Sequence, residues 1–377
     1  MIRFIYVVFV LLLISCSTDK KEAEPVVVDF SEESSLFASE VLSVSYLKLE
    51  TVDSCLLGSC NQCTSVGGHY ILLDKVMTRS LYAFNQDGSF VTQIGSTGNG
   101  PGEYINPFKY SVNEHDNTLS VVDIEQQKMI VYSLDDFHFV SEKKMPFHSD
   151  DVEQLPDGNY VWYNKLVSDK FDSYAFITDK EFNVKKSFLP IEFSSGYALG
   201  ANRKLYKCGD EISLYTPFNP VIYRVSSDSI YAAFQLKFGE KILPPIDFLK
   251  EKSANNKNYI PALLESPYVA YYNVYENDQS LCIPYYVDKT LHFGFYDKRK
   301  NVSYSFSQSR LQSELQVGAF SSPIGITQNG SFISLLRPGL LLQLQEEGYE
   351  INGELQQLLK ESVEDDNPIL LIFSLKK

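Results

Sequence analysis

The sequence has few basic residues for its length, and this shortage excludes whole classes of partner. The 377-residue chain has 33 Lys and Arg against 48 Asp and Glu, which gives a net charge of −15. Because binding to nucleic-acid phosphates needs clustered Lys and Arg, we expect no nucleic-acid partner. The same acidity opposes electrostatic adhesion to anionic lipid. Contact with a membrane would therefore have to come from an anchor.

Histidine is also scarce, and no catalytic motif stands out. The five histidines are His69, His115, His138, His148 and His292. Metal-dependent hydrolases and lyases need several His, Asp and Glu side chains at one place. The sequence contains no Gly-x-Ser-x-Gly motif, and no triad or pair of carboxylates is distinguishable from chance. We therefore assign no catalytic residue, no metal ligand and no cofactor.

The N-terminal apolar run is too short to cross a membrane as a helix. It covers residues 4–14, whereas a spanning helix needs about 20 apolar residues. A short run of this kind is typical of a secretion signal. Residues 13–16 resemble a lipobox, although Ile14 and Ser15 are not the commonest residues at their positions. We expect Cys16 to be lipidated, and an ordinary signal with a chance cysteine is the alternative.

The residues that follow Cys16 suit a tether. Residues 17–24 are polar and charged, so they cannot bury enough apolar surface to fold. We predict a signal peptide at 1–15, the lipidated cysteine with a flexible tether at 16–40, and one domain at 41–377. Mixed charges directly after the cysteine resemble the export signals of surface lipoproteins in Bacteroidetes. We expect an exported protein that is anchored by lipid in the outer membrane. The sequence does not decide whether it faces the periplasm or the cell surface.

Aromatic residues are abundant and point to β-structure. The chain has 25 Tyr and 25 Phe, and both residues favour half-buried strands. Residues 70–91 and 119–140 share a pattern of three short strands, with Asp74 and Asp123 at equivalent positions 123 − 74 = 49 residues apart. A period near 50 is typical of propeller blades. Four looser copies follow, which predicts an all-β, six-bladed β-propeller of four-stranded antiparallel blades.

Two stretches depart from the strand pattern, and one strand precedes the first blade. Residues 244–266 and 340–365 have Leu and Ile at helical spacing, which predicts helical insertions in strand connections. Such insertions either contribute to a binding face or cap the domain. Residues 44–49 form a strand that we expect to pair with 369–373 as the outer strand of the last blade. That pairing would close the ring and remove an exposed sheet edge.

The stretch after the first unit carries a recognisable motif. Residues 90–104 read FVTQIGSTGNGPGEY, in which a strand ends at Ile94-Gly95 and a turn closes with Gly100-Pro101-Gly102-Glu103-Tyr104. This motif resembles that of the six-bladed β-propeller lipoproteins of Bacteroidetes, which are distantly similar to NHL-repeat propellers. Residues 47–51 and 366–370 also look like features of that family. The resemblance implies a lipid-anchored propeller that starts near residue 44.

The glycines of this motif predict a tight, rigid crossing between blades 1 and 2. Glycine allows positive φ or close backbone approach, and Pro101 fixes φ. A phosphate-binding loop would need a following helix N-terminus and usually a lysine, and neither follows Tyr104. The structural motif comprises Gly95, Gly98, Gly100, Pro101, Gly102, Glu103 and Tyr104.

Three cysteines close together in the sequence could form a zinc site with His69. They are Cys55, Cys60 and Cys63. If 57–65 is a regular strand, Cys60 and Cys63 point to opposite faces, which argues against zinc and against a disulfide between them. We expect unpaired core cysteines, and a disulfide through Cys55 is the alternative. The chain also contains Cys208 and Cys282.

These observations favour a binding or scaffold protein of the cell envelope. We expect a monomeric domain that touches the membrane only through its lipid and takes a protein, peptide or glycan ligand. One alternative is a metal-dependent enzyme of the NHL or lactonase type, acting on a small molecule at the channel mouth. Another is glycan capture by tyrosines at 271–286 or by Trp162, although aromatic residues in blades usually pack in the core.

Overall fold

The computed structural model describes residues 24–197 and 203–377. Antiparallel four-stranded sheets dominate it, and helices are few and short. The prediction of an all-β propeller with six blades is confirmed. Within the two described ranges, no helix is long and apolar enough to cross a membrane.

The first two blades follow a short N-terminal segment. That segment contains β1 (Val26–Asp29), helix α1 (Ala38–Val41) and β2 (Leu42–Lys48). Blade 1 contains β3 (Cys60–Val66), β4 (His69–Asp74), β5 (Ser80–Asn85) and β6 (Phe90–Ile94). The crossing to blade 2 contains β7 (Ser96–Thr97) and β8 (Glu103–Tyr104). Blade 2 contains β9 (Pro107–Asn113), β10 (Thr118–Asp123), β11 (Lys128–Ser133) and β12 (Phe139–Lys144).

The remaining blades repeat this antiparallel order. Blade 3 contains β13 (Asp151–Gln154), β14 (Tyr160–Tyr163), β15 (Ser173–Thr178) and β16 (Val184–Pro190). Blade 4 contains β17 (Leu205–Cys208), β18 (Glu211–Tyr215), β19 (Val221–Val225) and β20 (Ile230–Lys237). Blade 5 contains β21 (Tyr271–Tyr272), β22 (Tyr275–Glu276), β23 (Ser280–Val287), β24 (Thr290–Asp297) and β25 (Val302–Ser307). Blade 6 contains β26 (Gly325–Ile326), β27 (Phe332–Leu336) and β28 (Ile369–Leu375), with β2 as its fourth strand.

Burial differs between the middle and outer strands of a blade. The sequence of β4, HYILLD, is almost entirely buried, because the middle strands are covered by neighbouring blades on both faces. The outer strand β12, FVSEKK, is mostly exposed. Its charged side chains protect an unpaired sheet edge against pairing with another chain.

The inner strand of each blade, which in blade 5 consists of the two short strands β21 and β22, lies nearest the central axis. The inner strands β9, β13, β17 and β22 contact one another in this order, and β26 pairs in parallel with β3. We call the end of the channel where these strands begin the upper end, and the end where they finish the lower end. Side chains near the first residues of the inner strands therefore meet at the upper end.

The N-terminal strand closes the ring, as predicted. Strand β2 pairs with β28 in antiparallel register over its whole length, from Leu42 opposite Leu375 to Lys48 opposite Ile369. Blades 6 and 1 thereby form one continuous eight-stranded sheet with the β26–β3 pairing. The ring is thus closed both at its rim and near its axis.

The tether expected at 16–40 is too long. Strand β1 pairs in parallel with β20, so it adds a fifth strand to blade 4. The next core residue, Phe30, is 4% exposed and stacks on Tyr285 of blade 5. The segment then continues through α1 to blade 6. Ordered structure begins before residue 41 because Val28 and Phe30 bury their side chains completely or nearly so.

Both predicted helical insertions are present, whereas α1 and the helix at Gln308–Leu315 were not predicted. The helices are α2 (Ile246–Lys252), α3 (Ile260–Leu264), α4 (Gln308–Leu315), α5 (Pro338–Glu346) and α6 (Gly353–Leu359), with a 3₁₀ turn at Ala254–Asn256. Helices α2 and α3 lie between blades 4 and 5, and α5 and α6 lie between β27 and β28. Both connections join strands at the upper end. The α2–α3 insertion packs around Phe193 and Tyr259 in a small core of its own.

Candidate functional site

The inner strands line a cavity of about 500 Å³ in the lower half of the channel. Every blade contributes to its wall. Blades 1 to 6 provide Gln62, Tyr110, Glu153, Lys207, Glu276 and Ile326, respectively. The cavity opens at the turns that follow the inner strands, where Asn277 to Gln279 and Thr327 to Gly330 form its rim. The wall combines charged and amide side chains with apolar surface, so it suits a ligand that has both polar and apolar groups.

Two buried ion pairs fix the charged groups of this lower cavity. Arg203 pairs with Glu153, and the hydroxyl of Ser111 donates to the other oxygen of Glu153 at 2.6 Å. Glu276 lies between Arg224 and Lys298, with 2.8 Å between Arg224 Nη1 and Glu276 Oε2. Burial would raise the pKa of Glu276, but the two cations hold it below its usual value.

A basic cluster lies at the upper end of the channel. It consists of Lys75 after β4, Lys109 in β9 and Lys204 before β17, all close to Asp151 at the start of β13. Lys109 Nζ lies 3.9 Å from Asp151 Oδ1, and Lys204 Nζ lies 4.1 Å from the centre of the Tyr215 ring. Lysines of three blades thus surround one carboxylate.

Burial strongly changes the acidity of this cluster. It lowers the pKa of Lys109 to about 7, while Asp151 raises it and Arg203 lowers it further. Burial also lowers the pKa of Lys204 to about 7, against the raising effect of Asp151. These two ammonium groups are therefore partly deprotonated at neutral pH. A second, smaller cavity of about 110 Å³, the upper cavity, also lies at this end, with Asn61, Arg203 and Tyr275 in its wall. Arg203 is thus its link to the cluster, because Lys109 and Lys204 are not among its wall residues.

The sequence-based prediction missed the basic cluster. Lys109 and Lys204 stand among apolar and aromatic residues, in PFKYSV and RKLY. A lysine at an inward-facing strand position is a signal that could have been noticed, since lysine is rarely buried. No local pattern, however, shows that residues from blades 1, 2 and 4 meet.

The Gly-rich motif lies at the crossing between blades 1 and 2. Gly95 and Gly102 have φ angles of +70° and +72°, which glycine adopts without strain. The Glu103 carboxylate accepts the N–H of Gly100 at 2.8 Å, and the Tyr104 hydroxyl donates to the carbonyl of Ile94 at 2.8 Å. A strand, β9, follows the motif instead of a helix. The contacts of the Gly-rich motif are those of a structural crossing between blades, and the motif lies outside the channel wall.

The two equivalent aspartates, Asp74 and Asp123, organise loops. Asp74 accepts backbone N–H groups of Gly58 and Ser59 through Oδ2, and of Val76 and Met77 through Oδ1. Asp123 accepts N–H groups on both sides in the same way, including Ile105 at 2.7 Å and Glu125 at 2.9 Å. Both side chains are buried and engaged. Their role is therefore to hold the loops, and a direct contact with a ligand is not required to explain them.

The prediction that Cys60 and Cys63 point to opposite faces is wrong. A β-bulge between Cys60 and Gln62 shifts the register with β4, so the alternation of side chains breaks there. Both cysteines enter one buried cluster with Cys55. These three thiols and Cys282 form no disulfide, and burial raises the pKa of Cys55 to about 12, although Asn367 lowers it. The side chain of Cys208 lies outside the described part of the chain.

The other proposed binding residues are mostly buried or scattered. Trp162 is fully buried, and among the tyrosines at 271–286 only Tyr271 and Tyr286 are half-exposed, stacked on each other at 5.5 Å. None of the five histidines is among the described wall residues of either cavity. Across residues 24–197 and 203–377, no group of three His, Cys, Asp or Glu side chains could hold a metal ion. Cys16 lies outside the described residues.

Comparison with known proteins identifies relatives over nearly the whole chain. The family model DUF5128, described as a 6-bladed beta-propeller, matches residues 16–334. A crystal structure of a Bacteroides fragilis protein, provisionally described as exported, is 34% identical with a TM-score of 0.88, covering 93% of this chain and all of that one. A member of the DUF4221 family from Bacteroides vulgatus shares the fold at 8% identity and a TM-score of 0.55, over 90% of this chain and 99% of its own. Among curated proteins, none matches this sequence significantly.

Proposed function

This chain belongs to the DUF5128 family of six-bladed β-propellers, and on that premise we propose that it is a ligand-binding protein of the bacterial cell envelope. The fold alone does not define a function, because propellers serve many. The observation that carries the proposal is the lower cavity, to which all six blades contribute wall residues. A site of this kind exists only when the ring is closed, which gives the two closures of the ring a functional purpose.

The size of the lower cavity favours a small ligand. Its volume of about 500 Å³ falls within the range of about 300–1,000 Å³ that is common for small-molecule sites. The pairs Arg203–Glu153 and Arg224–Glu276 hold charged groups in fixed positions along the wall. Fixed polar groups orient a ligand without the entropic cost of ordering loose side chains. A single sugar or a short peptide fits this description.

Export and lipid anchoring complete the proposal. The B. fragilis relative is provisionally described as exported, which agrees with a secretion signal at 1–15. A lipid on Cys16 would leave ten residues before β1 at Val26. At no more than about 3.5 Å per residue, that segment reaches about 35 Å. The propeller would thus stay close to the outer membrane, on either side of it.

A blocked-channel variant tests the binding proposal. Gln279 lies exposed at the rim of the lower cavity, so Gln279→Trp narrows the opening at little cost to folding. Ser227→Trp, at the exposed outer turn between β19 and β20, is the matched control. Thermal shift is measured with glucose, N-acetylglucosamine, free amino acids and dipeptides.

We expect at least one of these probes to raise the melting temperature of the wild type and of Ser227→Trp, but not of Gln279→Trp. The proposal fails if every probe changes the melting temperature of Gln279→Trp and of Ser227→Trp by the same amount. A stoichiometric divalent cation in the purified protein, measured by elemental analysis, would instead favour the alternative of a metal-dependent enzyme. Glycan binding that survives Gln279→Trp and is lost in Tyr271→Ala would favour a surface glycan site.

A further inference from the structure

The charges at the upper end of the channel do not balance. The side chains of Lys109 and Lys204 belong to residues only 3% and 8% exposed, and both approach Asp151. A buried ammonium group is costly unless an anion and hydrogen-bond acceptors accompany it. Two such groups sharing one carboxylate therefore need an explanation.

Asp151 cannot satisfy both lysines, because backbone groups already occupy it. Its Oδ2 atom accepts the N–H groups of Lys204 at 2.7 Å and Leu205 at 3.2 Å. Its Oδ1 atom accepts the N–H of Val152 at 3.0 Å, and Lys109 Nζ is farther away at 3.9 Å. Within the described parts of the chain, the ammonium groups of Lys109 and Lys204 make no closer polar contact.

The neighbouring carboxylates are also engaged. Asp150 pairs with Lys165 at 3.0 Å and accepts its backbone N–H at 2.9 Å. Glu153 is held by Arg203 and Ser111. These two acidic groups thus have close partners, whereas Lys109 and Lys204 share only the more distant Asp151.

Two further donors at this end have no acceptor among the described residues. Arg203 Nε is buried and unpaired, and the guanidinium lines the upper cavity of about 110 Å³. The hydroxyl of Tyr163 is likewise buried and unpaired, and it lies within electrostatic reach of Asp150 and Asp151. Since buried polar groups are almost always paired, donors in excess at one place point to an acceptor supplied by a ligand.

We propose that the upper end of the channel binds a small oxyanion between Lys109, Lys204 and Arg203. The ligand group is a phosphate, sulfate or carboxylate, which offers several acceptor oxygens and the missing negative charge. Charge-assisted hydrogen bonds to lysine and arginine are among the strongest in proteins. The upper cavity, in which Arg203 is the charged residue among the described wall residues, would hold three or four waters at about 30 Å³ each. This volume is on the scale of a tetrahedral oxyanion. This inference rests on the proposed function only in placing ligands in the channel.

The site makes oxyanion affinity depend on pH. Protonated Lys109 and Lys204 bind the anion, and their pKa values near 7 mean that both lose charge as pH rises from 6 to 8. Affinity should therefore fall over that range. The charged groups that act on Lys109 or Lys204 also include Lys75, Asp150, Asp151 and Arg203, and Lys165 acts on Lys75.

Isothermal titration calorimetry on the full-length protein in detergent tests this site. Sulfate is the main probe because its charge does not change between pH 6 and pH 8, and inorganic phosphate and acetate are separate arms that identify the preferred oxyanion. Buffers are Bis-Tris and Tris, which are cationic and do not compete. The variants are Lys109→Met, Lys204→Met and Tyr163→Phe, and Lys237→Met removes an exposed lysine from β20 as the control.

We expect sulfate affinity to fall at least tenfold from pH 6 to pH 8, and at least tenfold at pH 6 in each buried-lysine variant. Lys237→Met should stay within twofold of the wild type, and Tyr163→Phe should lose about threefold without affecting folding. Methionine removes a buried charge, so we expect both lysine variants to keep the near-ultraviolet circular dichroism of the wild type. The proposal is overturned if the wild type binds none of the three anions, or if Lys109→Met, Lys204→Met and Tyr163→Phe all bind sulfate like Lys237→Met. Sulfate binding that persists in Gln279→Trp separates this site from the lower cavity.

Discussion

Gly325 of blade 6 lies directly against Cys63 of blade 1, with the two strands paired in parallel. A Cβ atom on Gly325 would overlap the carbonyl oxygen of Cys63. The two blades therefore join near the channel axis as well as at the rim, where β2 pairs with β28. Because both cavities lie along this axis, the contact also keeps their walls in place.

The first prediction concerns this contact. Gly325→Ala should destabilise the protein by about 1–3 kcal/mol, the usual cost of forcing a methyl group into a packed site. Gly353→Ala is the control, because a Cβ there would meet no atom within 4 Å. Urea denaturation gives the free energy of unfolding of both variants. Equal stability of Gly325→Ala and Gly353→Ala would show that the backbones can separate.

The second prediction concerns the N-terminal segment. Phe30→Ala should cost about 3–5 kcal/mol, as for other fully buried phenylalanines, because Phe30 packs between blades 4 and 5 against Phe238 and Tyr285. Phe37, seven residues later, is 63% exposed, so Phe37→Ala should change stability by no more than about 0.5 kcal/mol. Thermal unfolding of both variants checks this. A mobile tether up to residue 40 would make the two substitutions equally harmless.

The third prediction is a dependence of stability on pH. The pKa of Lys109 and of Lys204 is about 7 in the native protein, against 10.5 as the ordinary value. Between these values the unfolded chain binds protons that the native chain does not, so stability rises with pH. Each lysine contributes at most about 1.4 kcal/mol per pH unit.

Denaturation at pH 7, 8 and 9 without added oxyanion measures this slope. We expect Lys109→Met and Lys204→Met each to reduce it by about 1 kcal/mol per pH unit, and Lys237→Met to leave it unchanged. If the stability of the wild type and of the three variants changed equally with pH, both buried lysines would remain charged in the native state.

The fourth prediction concerns Cys16. If its thiol carries lipid, cells fed an alkyne-tagged fatty acid should label the wild-type protein and not Cys16→Ser. Cys208→Ser serves as the matched control and should be labelled normally. After fractionation we expect the wild type in the outer membrane and Cys16→Ser in a soluble fraction. Labelling of Cys16→Ser at the wild-type level would contradict the anchor.

The parts of the fold that follow from the sequence are those with local, repeated signals. The 49-residue offset between Asp74 and Asp123 predicts blades, and the apolar strands at both chain ends predict their pairing. The strand β1 was missed because its four residues follow a charged stretch and pair with blade 4, about 200 positions away. The bulge after Cys60 was missed because one inserted residue leaves no mark in composition.

The candidate site was less predictable from the sequence than the fold was. Lys75, Lys109 and Lys204 come from three blades, so only the closed ring brings them together. The acidic net charge of −15 also conceals this local excess of lysines. The acidic total makes a nucleic-acid partner unexpected, but it says nothing about a local positive charge inside the channel.

A crystal structure of the protein soaked in selenate at pH 6 tests most directly whether ligands bind in the channel. Selenium gives an anomalous signal that locates the anion without ambiguity. We predict the strongest peak outside the protein between Lys109 Nζ, Lys204 Nζ and Arg203, and its loss in Lys109→Met crystals. Peaks confined to lysines on the outer strands, with none at the upper end of the channel, would contradict this account.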